Sequence, residues 1–406
     1  MYTPPQHIID NYAKVLIRFA LNSGKGLKRG EVVYLVGTET TKPLFEACRR
    51  EIYRVGGHVI GGYLPAESDR HQTKRDFYEL AKPHQLDFFP EHYYRGLVSE
   101  IDHMVYLKSE DAPHALDGID PKKIMRHERA MRPFMDWRFE KEERGELTWT
   151  LCMYPTEANA REAGLSLKAY WRELIRACYL NEEDPVAAWR AAQKKMRAIK
   201  RTLDRITRKT ERFHVEADAI DLWITPGERR QWLTGSGRNI PSFEHFLSPD
   251  WRGTEGYIAF DLPLYRYGHL VEGIELWFEA GRVVKSRAQR NEQVLTEMIK
   301  TENADKVGEF SLTDRRLSRI SKFMATTLFD ENYGGRWGNT HIALGKAYRD
   351  SLDGDPAALA PDEWERLGFN TSSVHTDLFS TTKRTVTAHL KGGRERVIYH
   401  NGEFTL

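Results

Sequence analysis

The first strand-like pattern is EVVYLVG, Glu31 to Gly37, a nearly unbroken apolar run. A stretch that reads as a helix, KPLFEACRREIYRVG, follows it, and then a second apolar run, HVIGGYLP. Strand, helix and strand in this order predict a parallel, doubly wound unit. Upstream, MYTPPQHIIDNYAKVLIRFALNSG places apolar residues at helical spacing, which predicts a helix from about Ile8 to Ala20. IDHMVYLKS and LTWTLCMYP are two further candidate strands. VGTETTKP, after the first strand, is neither GxGxxG nor a P-loop, so nucleotide binding has no support.

From Arg190 to Arg212 ten Lys or Arg stand against Asp204 and Glu211. Met196, Ile199, Leu203 and Ile206 recur at three and four, so the reading is a helix with one packed face and one charged face. After about Ala219 the texture changes. AIDLWITPG, EGYIAFDLPLYRYG, IELWFEAGRVV, RTVTAHLKGG and RVIYHNGEF are aromatic, strand-like and separated by Gly, Pro and Asn. The expected organisation is an α/β N-terminal domain over residues 1–220. A mixed α+β, strand-rich C-terminal domain, the seat of any metal chemistry, follows over residues 221–406.

A length of 406 residues agrees with two domains. The net charge of +2 is too balanced to imply a nucleic-acid or membrane partner. No apolar stretch approaches the ~18 residues of a membrane span. The N-terminus lacks the basic start, apolar run and cleavage site of a signal peptide. Cys48, Cys152 and Cys178 are odd in number and widely spaced, which fits a reducing cytoplasm and argues against a thiolate zinc site. The basic helix is then read as a solvated surface suited to an anionic ligand such as a peptide carboxylate, ahead of a nucleic-acid face.

The second half carries the candidate chemistry. In SSVHTDLFS, His375 and Asp377 are two apart in a strand-like run and share a face. LFDENYGGRWGNTHIALGKAY supplies Glu331, His341 and Tyr348. HIALGKAY is read as a helix start capped by Asn339 or Thr340, which would put His341 and Tyr348 two turns apart on one side. Glu244 lies in the turn-rich SGRNIPSFEHFLSPDWRG, and Glu309 follows a glycine in DKVGEFSL. Three Glu, one Asp and two His form an oxygen-rich set that suits Zn, Mn or Co. Four carboxylates exceed what one divalent ion needs, and two ions sharing a bridging carboxylate would use them better.

The blocks GRNIPSFEHFLSPDWRGTEGY, VGEF, LFDENYGGRWGNTHIALGKAY and SSVHTDLF occur in that order between residues 237 and 379. Across them the chain resembles the thermophilic aminopeptidase family of two-metal exopeptidases, the aminopeptidase T, AmpS and PepS group. The resemblance implies Glu244, Glu309, Glu331, His341, His375 and Asp377 as ligands of two divalent ions, with Glu309 bridging. It implies Tyr348 as hydrogen-bond donor to the tetrahedral oxyanion, and a water activated by the ions as nucleophile. It further implies short peptides with a free N-terminus as substrates, a homodimer, and a cytoplasmic place of action. Phe243 stands where the family usually has Gly, and GGRWGN lengthens the stretch between Glu331 and His341. Both departures touch the rim of the site and bear on substrate preference. They keep open a two-metal hydrolase of another amide or a small ester; a nucleic-acid binder using the basic helix is the non-enzyme alternative.

Overall fold

In the computed structural model, residues 2–68, 70–266 and 269–406 are described. The Val32–Thr38 strand is the hub of the first half. It pairs in parallel with His58–Leu64 on one side and His103–Lys108 on the other, and Thr148–Met153 and Asn239–Ile240 extend the sheet, again in parallel. The Lys42–Val55 helix supplies the crossover between the first two strands and buries Leu44, Phe45, Ala47, Cys48 and Ile52. Apolar side chains fill most of this layer, with Val33 and Leu35 fully buried, and the buried Glu51 pairs with Arg18 and Arg54. The N-terminal helix, Gln6–Val15, continues as a wider turn, Leu16–Ala20, so the expected 8–20 helix is present with a change of pitch. All three cysteines are buried thiols.

By its contacts the chain falls into two compact units: Met1–Arg190 with Ser236–Ile240, and Ala191–Gly235 with Pro241–Leu406. This division lies near residue 190 rather than near 220. The reason is the basic helix, Pro185–Thr207, whose stripe residues Met196, Leu203 and Ile206 are buried, Leu203 and Ile206 in the core of the second unit. That helix also ends earlier than the charge pattern suggested. Thr210–Ala217 is a strand, so Arg212 belongs to a central strand of a sheet and pairs with Glu255. β-Branched and aromatic residues from Thr210 onward favour the extended form.

Among the described residues the second unit holds an eight-stranded antiparallel sheet and a five-stranded one. The five-stranded sheet runs His375–Ser380, Asn339–Gly345, Val307–Thr313, Glu244–Leu247, Leu233–Thr234, in spatial order. One apolar cluster takes residues from both sheets: Phe213, Leu222, Leu276 and Val386 from the larger, Leu247, Phe310, Leu312, Ile342, Leu344 and Leu378 from the smaller. Every residue of Val307–Thr313 and Asn339–Gly345 is buried. Strand side chains alternate, so Phe310 and Leu312 enter the core while Glu309, Ser311 and Thr313 take the opposite face.

Asn339–Gly345 is therefore a strand, and the helix expected to start at His341 does not form. Its pattern is period two, with Ile342 and Leu344 in the core and His341 and Ala343 opposite, and no apolar stripe at three and four supports a helix. Among the described residues no helix is long and apolar enough to cross a membrane.

Phe310 is 1% exposed and packs on Phe213 and Trp232. Phe310→Ala is expected to destabilise the second unit by about 3–5 kcal/mol. Urea unfolding followed by tryptophan fluorescence measures this, and a loss below about 1 kcal/mol would contradict the packing described.

Candidate metal centre

The polar face of the five-stranded sheet gathers five of the seven residues picked out in the sequence: Glu244, Glu309, His341, His375 and Asp377. Register does most of this. Ser311 lies opposite His341, Ala343 opposite Asp377, Gly345 opposite His375, and Thr313 opposite Glu244. A shift of register between Val307 and Glu309 resets the alternation, so Val307 enters the core and Glu309 faces away from it. Gly308 allows this. A Cβ there would stand 2.3 Å from the Lys346 carbonyl oxygen and 2.5 Å from that of Gly345.

Glu309 joins two clusters. His341 Nε2 lies 2.9 Å from Glu309 Oε1 and 3.4 Å from Glu244 Oε2. His375 Nε2 lies 3.8 Å from Glu309 Oε2 and 3.2 Å from Asp377 Oδ1. Glu244, Glu309 and His341 form one group with metal-ligand spacing, and Glu309, His375 and Asp377 form a second. Each oxygen of Glu309 faces a different imidazole. Glu244, Glu309 and His341 are buried, and His375 and Asp377 are partly so.

The electrostatics follow from this crowding. Burial and the Glu309 carboxylate push Glu244 up to about 8. Burial works against the charged form of His375, yet Asp377 and Glu309 raise it to about 9. Burial also opposes charging of His341, and Glu309 and Glu244 still raise it. Asp377 is lowered by His375 in spite of its own burial. Carboxylates and imidazoles packed this closely share protons.

The donor set fits divalent ions. His375 Nδ1 donates to the Lys346 carbonyl, 2.7 Å, which fixes the ring and leaves Nε2 toward the carboxylates, as ligand histidines are commonly oriented. His341 Nδ1 is buried without a hydrogen-bond partner among the described residues. Oxygen and imidazole donors without thiolate suit Zn, Mn or Co.

Tyr348 reaches the site from a loop, not from a helix. It precedes the Arg349–Ser351 turn, and its ring stands edge-on to His375, centroids 4.8 Å apart, and to Phe246 at 5.9 Å. Ser248 Oγ accepts from the Tyr348 N–H at 2.8 Å. Ser248 in turn is held by Ser351 and by the buried Arg230, whose Nε donates to the Ser248 carbonyl. Although 42% of Tyr348 is exposed, lost solvation and then Glu309, Asp377, Glu331 and Glu244 push its phenol up. The hydroxyl therefore stays protonated at neutral pH.

Glu331, like Tyr348, lies outside the two compact groups. It closes the short Thr327–Asp330 helix, is buried, and accepts from Asn332 Nδ2 at 3.2 Å through Oε1. Its charge nevertheless reaches Tyr348. Sequence reasoning missed Ser311 and Asn332. Ser311 Oγ donates to Glu244 Oε2, 3.1 Å, and its place two residues after Glu309 on a strand was a usable signal. Asn332 accepts from the Phe243 N–H and donates to the Pro241 and Leu328 carbonyls, tying the Glu244 segment to the Glu331 segment. Nothing in its spacing announced that role.

A buried cluster of carboxylates and imidazoles on a mixed α/β frame is an arrangement that metal-dependent hydrolases use. The thermophilic metalloprotease (M29) family model matches residues 6–404. Aminopeptidase T of Thermus thermophilus is 28% identical over 389 residues, 91% of each chain. Aminopeptidase AmpS of Bacillus subtilis is 26% identical over 428 residues, 98% of each. The solved structure titled wild-type AmpT from Thermus thermophilus superposes with a TM-score of 0.81 at 24% identity, covering 99% of this chain and 100% of that one. The chain belongs to the thermophilic metalloprotease (M29) family and is a metal-dependent peptide hydrolase of the aminopeptidase kind.

The shifted groups give a pH-dependent prediction. Below about 8 Glu244 holds a proton in the metal-free protein, and below about 9 so does His375. Ligation needs the deprotonated carboxylate and the neutral imidazole, so affinity rises with pH and levels off above about 9. Zinc titration at pH 7, by calorimetry in two buffers of different ionisation enthalpy, should show release of at least about two protons per chain. No proton release would contradict the shared-proton arrangement.

Gly308→Ala forces strand and loop apart at the Lys346 carbonyl and should displace Glu309. Zinc affinity is expected to fall by at least about tenfold, the scale of disturbing a ligand's supports. Unchanged affinity would contradict the close approach.

Proposed function

We propose that this enzyme removes N-terminal residues from short peptides at a two-metal site in which Glu309 bridges the ions. Glu244 and His341 would complete one shell, His375 and Asp377 the other, and Glu331 would add a further carboxylate at the rim. The observation that carries the proposal is the placement of the two Glu309 oxygens against different histidines. Divalent ions held there, whether Zn, Co or Mn, would supply Lewis acidity and bring a water's pKa toward neutrality.

The chain's own residues do the rest. The surplus of carboxylates favours a cationic N-terminus and disfavours a blocked or acidic one. The Tyr348 hydroxyl, protonated because burial and then four carboxylates oppose its ionisation, donates a hydrogen bond to the oxyanion that develops at the scissile carbonyl. Ser248 holds the Tyr348 backbone, and His375 and Phe246 hold its ring. Assembly as a homodimer and action in the cytoplasm belong to the same proposal and rest on the family resemblance. On the basic helix Lys200 pairs with Asp204, and Arg208 just beyond it with Asp353.

Aminoacyl anilides with free and acetylated amines test this reading. Tyr348→Phe is expected to lower kcat by about 10²–10³ with little change in KM, the range for one lost oxyanion donor. Glu309→Gln should lose bound metal and activity together. Cleavage of the acetylated substrate at the same rate as the free one would overturn the aminopeptidase reading and favour another amide or ester. Full activity in Glu309→Gln would remove the two-metal site.

A further inference from the structure

Arg384 lies outside the site described above, at the start of the Thr385–Leu390 strand. It is 2% exposed, and Nε, Nη1 and Nη2 are all buried without a hydrogen-bond partner among the described residues. Its guanidinium carbon stands 5.9 Å from the centre of the Tyr399 ring. A guanidinium stays charged in proteins, and a buried charge without compensation is strongly destabilising.

Asp261 and Tyr399 favour the charged guanidinium electrostatically, but no carboxylate forms a hydrogen bond with it among the described residues. Asp261 spends both oxygens on Thr381, accepting from its N–H and its hydroxyl at 2.6 Å each. Asp314 is held by Arg316 and by the Phe404 N–H. The Tyr399 hydroxyl donates to the Thr313 carbonyl at 2.8 Å.

The Gly-rich stretch 334–339, which the family resemblance leaves without a role, covers this place. Gly338 has φ +64°, and a Cβ on it would stand 2.0 Å from the Tyr399 hydroxyl and 2.5 Å from the Thr313 carbonyl oxygen. Arg336 and Lys383 both approach the Trp337 ring, at 4.7 and 5.9 Å, which adds positive potential to the cover.

We propose that Arg384, beneath the 334–339 loop, is the floor of a buried site for one small monovalent anion, a halide or a carboxylate. One guanidinium beside the Tyr399 ring, with Asp261 nearby, suits a single negative charge and disfavours a phosphate or sulfate. The planar fork of donors matches either ligand. The site is separate from the metal ligands and does not depend on the reaction assigned to them.

Thermal unfolding of the metal-loaded full-length protein tests the site, with gluconate replaced by chloride or by acetate at constant ionic strength. Gluconate is too bulky for an enclosed site and serves as the reference. A saturable rise in Tm of about 2–4 °C is expected in at least one arm, and the arm that saturates at lower concentration identifies the ligand as halide or carboxylate. Arg384→Met should abolish the dependence. Arg384→Lys keeps the charge and tests the site if the Met variant does not fold. It should move the anion midpoint at least about tenfold higher, a loss of the forked geometry. A Tm equal in all three salts would overturn the proposal. So would anion dependence that persists in Arg384→Met or has the same midpoint in Arg384→Lys.

Discussion

The second unit is organised around one electrostatic constraint: three carboxylates and two imidazoles meet on one sheet face, around Glu309. Like charges this close and this buried repel one another, and in the absence of metal the proton distribution absorbs the repulsion. Glu244 takes up a proton at about 8, and His375 keeps one to about 9. A cation in place of those protons removes both the repulsion and the cost of desolvation. The arrangement therefore suits a cation.

That geometry is held from behind. Phe310, Leu312, Ile342 and Leu344 lock the two fully buried central strands into the core, so Glu309 and His341 have little freedom to shift. The register shift at Gly308 turns Glu309 out of the core and costs a backbone irregularity at the point where the ligand is needed. Asn332 and Ser248 do comparable service at the edges. One links the Glu244 and Glu331 segments, and the other fixes the backbone of Tyr348.

Much of this was legible in the chain. Apolar runs separated by a helix announced the parallel sheet of the first unit, and the alternation in SSVHTDLFS placed His375 and Asp377 on one face of a real strand. The identity of the ligand candidates came from ordered motif blocks, each weak alone. What escaped was local. HIALGKAY offers only a few residues of period-two pattern, and a polar start beside a glycine loop imitates a helix cap; tertiary pairing with Glu309 and Asp377 decides for the strand. The unit boundary escaped because a helix belongs to whichever unit buries its stripe, and charge says nothing of that. Ser311 and Asn332 escaped because a hydroxyl or amide acquires a role only from what folds against it.

Anomalous diffraction at the zinc edge, from crystals of the zinc-loaded protein, tests the central claim most directly. Two peaks are predicted, one on each side of the Glu309 carboxylate and about 3.5–4 Å apart, as in two-metal hydrolases. One peak would lie against His341 and the other against His375. A single peak, or a pair that leaves either oxygen of Glu309 without metal, would contradict the account.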